Sequence, residues 1–349
     1  MDNNSNNDME IFDDIKKSDY EKKKGIFTRI KEFISNTIFL ISLIYLGLMV
    51  YNHFYPYEFN KYYELIVKRN DIEKTEINKN EYFQNDNYLF VQNMDYLYAK
   101  DRQDLLNILY TFVNSGEKNV YFYCSKEYKS CVQDAKDIIY KDNEHDIVSS
   151  LYEFIHPFND YKSLSANGDK EINYVVYKAE KKYSKKKIKE INAVVDQVYD
   201  ELVDPNDTQY NNIKRVHDYL VNSIEYDKVK SDYIDKKSDV DSEYDATSAY
   251  GALVQHKAVC GGYTDAMYLF LEKMGIQSMR ITSATHIWNA VYLDGTWYHL
   301  DVTWDDARYT NGKTFLSHNY FLIDTPTLLE LDTDSHTFDQ TIYQELAVK

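Results

Sequence analysis

The order of apolar and polar positions divides the chain into three parts. Residues Phe33 to Tyr51 form an uncharged, mostly apolar run of nineteen residues, and a helix of that length nearly spans a hydrocarbon core of about 30 Å. Residues 86–180 alternate helical stripes with short strand-like runs, which predicts a small α/β domain. Residues 185–349 begin with two helical stripes and continue into strand-like runs around an Asp-Gly turn, so we expect an α+β domain there.

The charges around the apolar run predict how it would lie in a membrane. Lysines and arginines crowd the chain before the run, whereas the nearest cation after it is Lys61. Cytoplasmic flanks carry an excess of such cations, so residues 1–32 are predicted to be a cytoplasmic polar tail, without ordered structure. Residues 33–52 then form a transmembrane anchor, residues 53–85 form a juxtamembrane stalk, and the rest is extracellular. A cleaved signal peptide and a buried core helix are the alternatives, and the first lacks the small residues of a cleavage site.

The predicted α/β domain shows structural elements but no catalytic pattern. Asp101–Ser115 carries apolar residues at helical spacing, and Gly116 stands where a helix-ending glycine belongs. Cys124 and Cys131 lie at the end of a strand-like run and in the helix that follows it. Two thiols so placed in an exported domain can form a disulfide, and two reduced buried cysteines are the alternative. The other predicted elements are helices over 128–140 and 147–155 and strands over 120–123 and 172–178.

Charge and composition exclude some classes of partner. The formal net charge of −17 argues against a nucleic-acid partner, because phosphate binding needs a basic surface. Residues 225–245 form a long Asp-rich segment, but it lacks the Gly and the Glu that an EF-hand requires, which favours a solvated loop over a calcium site. The sequence shows no zinc-type Cys/His spacing and no phosphate-binding glycine loop, so we expect no metal and no cofactor.

Cys260 stands where a nucleophile would be favoured. It precedes Gly261 and Gly262 at the start of a helical stripe that Gly275 ends. The positive end of the helix dipole favours a thiolate over a thiol, and the thiolate is the reactive form. The two glycines allow the backbone to pack closely around the sulfur. A buried structural cysteine is the alternative, and the hairpin downstream argues against it.

A predicted hairpin follows this helix. Asp294-Gly295 is a strong two-residue turn signal between two strand-like runs, Thr285–Leu293 and Thr296–Thr303. The pairing that this turn favours makes His286 and Asp301 diagonal neighbours on one face, with Cβ atoms about 7–8 Å apart or less. A carboxylate at that distance can hydrogen-bond the imidazole. A cysteine at a helix start, with a His and an Asp from an adjacent hairpin, is the arrangement of a papain-type site.

Three strings carry a family resemblance: AVCGGYTDA, THIWNAVYLDGTWYHLDVTWDD and NYFLID. Together they resemble the core of the transglutaminase-like superfamily, which groups transglutaminases, related cysteine proteases and peptide N-glycanases. The resemblance covers about 140 of the 349 residues. It implies a papain-like fold in which a Cys-bearing helix packs on an antiparallel sheet. It also implies that Cys260 is the nucleophile, His286 the general base and acid, and Asp301 the orienting carboxylate.

The chain departs from the animal members of that superfamily. They usually have Trp directly after the nucleophile, where this chain has Gly261, and their calcium sites and flanking β-domains have no counterpart here. The bacterial membrane-anchored or secreted members are the better match. Acyl transfer from Gln, peptide hydrolysis and amide hydrolysis share one thioester intermediate, so the reaction stays open.

The remaining site residues are open as well. The backbone N–H of Cys260 is one candidate oxyanion donor, and a side chain would supply the second. Tyr226 and Gln255 are candidate donors, and Tyr263 and Trp288 are candidate walls of the substrate cleft. A packing role is the alternative for each of them. His299 shares the predicted face of the hairpin and ranks below His286, because His286 occupies the position that the motif reserves for the base.

The sequence therefore predicts a membrane-anchored extracellular cysteine enzyme at a bacterial cell surface. Its expected substrates are proteins or peptides of the cell envelope. A non-catalytic surface module that keeps the fold for binding is the first alternative. A structural envelope protein in which residues 86–180 carry the function is the second. The oligomeric state stays open.

Overall fold

The computed structural model describes residues 5–55, 75–140, 150–308 and 314–347. The chain divides into two compact units, residues 1–70 and 71–349. The described part of the first unit is one long helix, α1 (Ser5–Phe54). The prediction of a disordered polar tail is wrong from Ser5 onward, where Lys and Glu favour helix and no Pro interrupts the chain before Pro56.

Part of helix α1 is suited to a membrane. The 24 residues Lys31–Phe54 are long and apolar enough to cross a bilayer, and large side chains such as Phe33 and Phe39 are exposed. A signal sequence near an N-terminus meets the same criteria of length and composition. The predicted stalk lies largely outside the described residues, because residues 56–74 are not described.

The second unit begins with a four-stranded sheet in the order β1-β2-β4-β3. Strand β1 runs parallel to β2, and the other neighbours are antiparallel. Asp101 caps the first helix by accepting from the N–H of Asp104, and Gly116 ends it with a φ of 77°, as predicted. The elements are β1 (Tyr98–Ala99), α2 (Arg102–Ser115), β2 (Asn119–Cys124), α3 (Cys131–Tyr140), β3 (Tyr161–Asp169) and β4 (Tyr174–Lys181).

Two predictions in this region differ from the structure. Strand β3 was not predicted, because its sequence YKSLSANGD is polar and lacks apolar alternation. The helix predicted over 147–155 falls partly outside the described residues, and its described end forms a 3₁₀ helix at Tyr152–Phe154. A second 3₁₀ helix follows at Pro157–Asn159.

The chain then forms several helices ahead of the hairpin. The two helical stripes predicted at the start of residues 185–349 form helices, the first over Lys185–Leu202 and the second over Gln209–Ser223. The segment 225–245 is not a plain loop, because it contains a short strand and a helix. The elements are α4 (Lys185–Leu202), α5 (Gln209–Ser223), β5 (Glu225–Tyr226), α6 (Lys228–Ile234), α7 (Ala249–Leu253), β6 (Lys257–Ala258) and α8 (Cys260–Lys273).

A three-stranded antiparallel sheet, β7-β8-β9, forms the centre of the second unit. Leu293 pairs with Thr296, the register that the Asp-Gly turn predicts. The ladder ends at Asn289 and Leu300, so the second strand stops before the predicted Thr303. The remaining elements are β7 (Ser278–Thr282), β8 (Ile287–Leu293), β9 (Thr296–Leu300), α9 (Val302–Asp305), β10 (Asp306–Arg308), β11 (Thr314–Leu316), α10 (Thr325–Leu331), α11 (Thr333–His336) and a 3₁₀ helix at Gln344–Leu346.

Both faces of this central sheet are buried. Val291 and Leu300 pack into the core formed with helices α4, α5 and α8. Trp288 and Ala290 face the other way and share a core with α2, α3 and β2. The Cys-bearing helix thus packs on an antiparallel sheet, in an α+β fold. The predicted division between 86–180 and 185–349 stays a prediction, and in the structure one apolar core contains residues from both segments.

A buried cluster of charged side chains includes residues on both sides of the predicted division between 86–180 and 185–349. Arg280 on β7 donates to both carboxylate oxygens of Asp160, at 3.0 and 2.8 Å, and to Asp265 on α8 at 2.6 Å. Lys182 lies 3.3 Å from each of the two acids. Burial alone would raise the pKa of Asp265, but Lys182 and Arg280 outweigh it and lower that pKa. This cluster fixes helix α8, which carries Cys260, against the rest of the unit.

Candidate active site

Cys260 is the first residue of helix α8. Val259 ahead of it is extended, and the thiol is half-buried and free of any disulfide. A Cβ added at Gly262 would lie 2.7 Å from the Ala246 carbonyl oxygen, so only glycine allows this close approach of the backbone. The thiol therefore stands at a helix N-terminus, where the dipole favours negative charge.

His286 and Asp301 come together at the open end of the hairpin formed by strands β8 and β9. His286 lies just before β8, and Asp301 lies just after β9. The Nε2 atom of His286 lies 2.5 Å from Oδ2 of Asp301. A turn fixes His286 just ahead of β8, because its N–H donates to Oγ of Ser283 at 3.1 Å. With Nε2 engaged by the carboxylate, the Nδ1 atom is the one left for Cys260, and the histidine and the thiol do interact.

The electrostatics of this pair favour a charged imidazole. Burial works against the charge, but the Asp301 carboxylate and the adjacent Cys260 outweigh it and raise the pKa of His286 to about 10. The same interactions hold the pKa of Asp301 well below its usual range, despite its burial. A charged imidazole beside a cysteine at a helix N-terminus is the kind of surroundings in which reactive cysteines are found.

Asp301 lies beyond the end of strand β9, and its side chain caps a helix instead of continuing the strand. Its side chain caps helix α9, with Oδ1 accepting from the N–H groups of Thr303 and Trp304 at 2.9 and 3.1 Å. One carboxylate oxygen is thereby fixed by backbone, and the other faces His286. The diagonal arrangement expected from a longer hairpin is therefore replaced by a cap that aims the carboxylate.

His336 is a site residue that the sequence did not reveal. It is fully buried, and its Nε2 lies 2.9 Å from the same Oδ2 of Asp301 that contacts His286. Its Nδ1 lies 3.0 Å from Oδ2 of Asp332, one helical turn earlier. A chain of alternating carboxylates and imidazoles thus runs from Asp332 to His286. The sequence shows only its DxxxH spacing with Asp332, and nothing there links it to the hairpin.

Trp288 and His299 support the site from behind. The Trp288 ring stacks on His286 with 5.8 Å between centroids, and its Nε1–H donates to Nδ1 of His299 at 3.0 Å. The other nitrogen of His299 lies 3.0 Å from Oγ1 of Thr325. Burial and the neighbouring His336 lower the pKa of His299 to about 3, so it stays neutral. Trp288 is fully buried, and it orients His286 rather than lining an open cleft.

The other predicted site residues divide into one neighbour of the thiol and two packing residues. Tyr226 pairs with Ala258, two residues before Cys260, and burial together with the nearby Cys260 raises the pKa of its hydroxyl. Gln255 instead accepts from the N–H of Asp245 at 2.8 Å. Tyr263 is buried and donates to Asp306 at 2.6 Å, so it belongs to the core.

Trp304 is a second residue that the sequence did not single out. Its ring is 37% exposed and meets His286 edge-on at 6.1 Å between centroids. It also packs against His336 at 5.1 Å. An exposed indole beside the imidazole is the described side chain best placed to form a wall at this site.

The site can be assessed for a metal ion as well. His286, Asp301 and His336 bring ligand atoms within 4.8 Å of one another. A proton on each Nε2 accounts for both contacts to Asp301, so these two contacts need no metal. His217, Asp218 and His318 form a second group of this kind.

Cys124 and Cys131 lie away from this site. They are joined as a disulfide between the end of β2 and the start of α3, with Cα atoms 6.3 Å apart. Cys260 is thus left as the free thiol. Pairing of these two cysteines in the cell stays a prediction.

Comparison with known proteins adds a family match. Residues 196–302 match the family model of the transglutaminase-like superfamily. The human protein named kyphoscoliosis peptidase is 23% identical over 153 residues, which are 38% of this chain and 22% of that protein. The chain thus spans about a fifth of the length of this relative.

Two solved structures are distantly similar. One is described as a TGase, with a TM-score of 0.32 and 10% identity, covering 56% of this chain and 52% of that chain. The other is a proposed cysteine protease from Cytophaga hutchinsonii, with a TM-score of 0.24 and 14% identity, covering 37% of this chain and 52% of that chain. At these TM-scores neither likeness supports an argument about function.

Proposed function

We propose that this chain, whose residues 196–302 match the family model of the transglutaminase-like superfamily, is a thiol enzyme with a Cys260-His286-Asp301 triad. The superfamily consists mostly of cysteine enzymes and includes inactive members, so membership supports the general class. The observation that carries the triad is the 2.5 Å contact between His286 and Asp301, together with the interaction of the same imidazole with Cys260 at a helix N-terminus. An inactive member would have no need of all three groups.

The proposed reaction begins with attack of the Cys260 sulfur on an amide carbonyl carbon. The resulting oxyanion is stabilised by the backbone N–H of Cys260 and by the Tyr226 hydroxyl, which keeps its proton because its pKa is raised. His286 then donates its proton to the departing nitrogen, and the C–N bond breaks to leave a thioester. Asp301 holds the imidazole in orientation and stabilises its charge throughout.

The second half of the reaction decides between transfer and hydrolysis. His286, now neutral, takes a proton from an incoming amine or water, which attacks the thioester and releases Cys260. An amine gives acyl transfer, and water gives amide or peptide hydrolysis. We propose protein or peptide substrates, because the exposed Trp304 beside His286 offers an apolar wall for an extended side chain.

An assay for both outcomes tests this proposal. The full-length chain in detergent would be incubated with a complex protein mixture and a labelled primary amine, with Cys260→Ala as the control. Amine incorporation that the control lacks indicates transfer, and new peptide termini that the control lacks indicate hydrolysis. Identical products from the wild type and the control, or none from either, would refute the enzyme and favour a non-catalytic binding module.

The composition of helix α1 and its flanks supports a proposal about location. We propose that residues 33–52 anchor the chain in the cell membrane with residues 1–32 in the cytoplasm, because cations crowd the N-terminal flank. The triad would then face the cell exterior, in reach of envelope proteins. Protease added to intact cells should digest the region after the anchor, whereas a C-terminal tag that is protected until lysis would show the reverse orientation.

A further inference from the structure

We propose that His217, Asp218 and His318 form a binding site for a divalent transition-metal ion, with Zn²⁺ as the best fit, separate from the triad. His217 and Asp218 lie on helix α5, and His318 follows strand β11, so the three come from parts of the sequence 100 residues apart. Two imidazoles and one carboxylate are a donor set that suits zinc far better than calcium or magnesium.

The three donor atoms already converge. Oδ1 of Asp218 lies 3.0 Å from Nδ1 of His217 and 2.7 Å from Nε2 of His318. All three atoms lie within 4.8 Å of one another. With bonds of about 2.0–2.1 Å, tetrahedral geometry places zinc ligands about 3.3 Å apart. An ion therefore needs only a small opening of these contacts, and solvent can supply the fourth ligand.

His217 is held as a metal-binding histidine usually is. Its side chain is fully buried, and its other nitrogen, Nε2, lies 3.2 Å from Oδ2 of the buried Asp305. Asp305 in turn accepts from the N–H of Tyr320. A ligating histidine almost always directs its second nitrogen at a carboxylate or carbonyl of this kind. A proton on Nε2 would free the Nδ1 lone pair for a metal ion.

Asp218 shares one oxygen between the two imidazoles. Nδ1 of His217 and Nε2 of His318 both lie within hydrogen-bond distance of Oδ1 of Asp218. On the other side of the His217 ring, Nε2 makes no hydrogen bond among the described residues, although the Asp305 carboxylate lies 3.2 Å away. A metal ion bound to Nδ1 of His217 requires the ring proton on Nε2, where the Asp305 carboxylate faces it.

Access and charge are compatible with an ion. The side chains of Asp218 and His318 are 26% and 35% exposed, so an ion can enter from solvent. Lys214 pairs with Oδ2 of Asp218 at 2.7 Å, so Oδ1 is the oxygen that faces the two imidazoles. The side chains around the donor atoms carry one positive charge, on Lys214, and two negative charges, on Asp218 and Asp305. This net negative charge favours a cation.

The proposed metal site also lies close to residues that hold Asp301 of the proposed triad. Asp305 accepts from the backbone N–H of Ser317, and Tyr320 accepts from the backbone N–H of Asp301 at 3.0 Å. An ion that joins His318 to helix α5 would therefore hold the segment that supports Asp301. We expect it to stabilise the fold rather than take part in the reaction.

The test is zinc binding by the full-length chain in detergent, without a polyhistidine tag. Equilibrium dialysis with Zn²⁺, followed by metal analysis, should give one tightly bound zinc per chain, and zinc should raise the unfolding temperature. Asp218→Asn and His318→Gln should each weaken binding at least tenfold and abolish the rise. Circular dichroism checks that both variants fold.

Two control variants separate this site from others. His256→Asn alters an exposed histidine with a positive φ of 57°, which asparagine tolerates, and should bind zinc as the wild type does. Cys260→Ser should also retain the zinc. Zinc that is lost in Cys260→Ser, or retained in both Asp218→Asn and His318→Gln, would overturn the proposal, as would a wild type that binds none.

Discussion

Nε2 of His336 lies 2.9 Å from Oδ2 of Asp301, the same oxygen that contacts His286. The Asp301 carboxylate thus has a buried imidazole on each side, and its second oxygen is held by backbone N–H groups. An orienting carboxylate that is fixed in this way cannot rotate away from the base. His336 is therefore placed to position Asp301, through which it would act on the proposed reaction.

Replacement of His336 tests that role. His336→Leu keeps roughly the volume but removes the donor, so it should cost about 1.5–3 kcal/mol of unfolding free energy, the typical value of a hydrogen bond to a charged group. His336→Gln keeps an N–H that can reach Asp301 and should recover part of the loss. Denaturation curves and the rate of Cys260 alkylation measure the two effects. A Leu variant that matches the wild type in both would contradict the role.

The raised pKa of His286 gives a second prediction. Titration of ¹³C-labelled histidines by NMR should show one signal with a midpoint near 10, which His286→Gln removes. Asp301→Asn should move that midpoint down towards the ordinary value of about 6.5, because the charge that raises it is gone. A midpoint near 6.5 in the wild type would show that the ion pair does not form.

The raised pKa of His286 also determines how the stability of the fold changes with pH. Because the folded value lies above the unfolded value, the contribution of His286 is fully present below about pH 6.5. It is lost as the pH rises through about 10. The Asp301→Asn variant should therefore lose less stability than the wild type over that interval.

The charge cluster around Arg280 gives a third prediction. Arg280→Met should destabilise the fold by about 3–5 kcal/mol, because Asp160 and Asp265 would be left buried without their partner. Lys186→Met is the matched control, because Lys186 pairs with Glu190 at the surface, at 3.8 Å, and should change stability by less than about 0.5 kcal/mol. Tryptophan fluorescence during chemical denaturation measures both. Equal effects of the two substitutions would refute a structural role for the cluster.

The Cys124–Cys131 disulfide is the subject of a fourth prediction. Intact-mass measurement after alkylation should find one free thiol before reduction and three after it. Loss of the bond should cost about 2–3 kcal/mol, because it closes a short loop. Three alkylated thiols without reduction would remove the bridge and leave the triad unaffected.

Local patterns in the sequence were enough to predict the elements that carry the triad. The helix at Cys260 follows from its apolar stripe and flanking glycines, and the hairpin register follows from Asp294-Gly295. The assignment of His286 and Asp301 rests on the resemblance and on that register. Strand β9 was predicted too long, because the cap formed by the Asp301 side chain competes with continuation of the strand.

Local sequence patterns do not predict contacts between residues that are far apart in the sequence. His336 reaches Asp301 across 35 residues, and His318 reaches Asp218 across 100. Neither pair has a local spacing that marks it. Trp288 is buried and does not line a cleft. Alternation along a strand predicts which face a side chain takes, but it does not show that a second core covers that face.

The central claim is that Cys260 acts as a nucleophile paired with His286, and its reactivity towards iodoacetamide tests this most directly. At pH 6 an ordinary thiol, with a pKa of about 8.5, is almost entirely protonated and reacts slowly. We predict rapid alkylation of Cys260 in the full-length chain at this pH, followed by intact mass, and a rate at least tenfold lower in His286→Ala. A slow rate in the wild type, or one that His286→Ala leaves unchanged, would contradict the account.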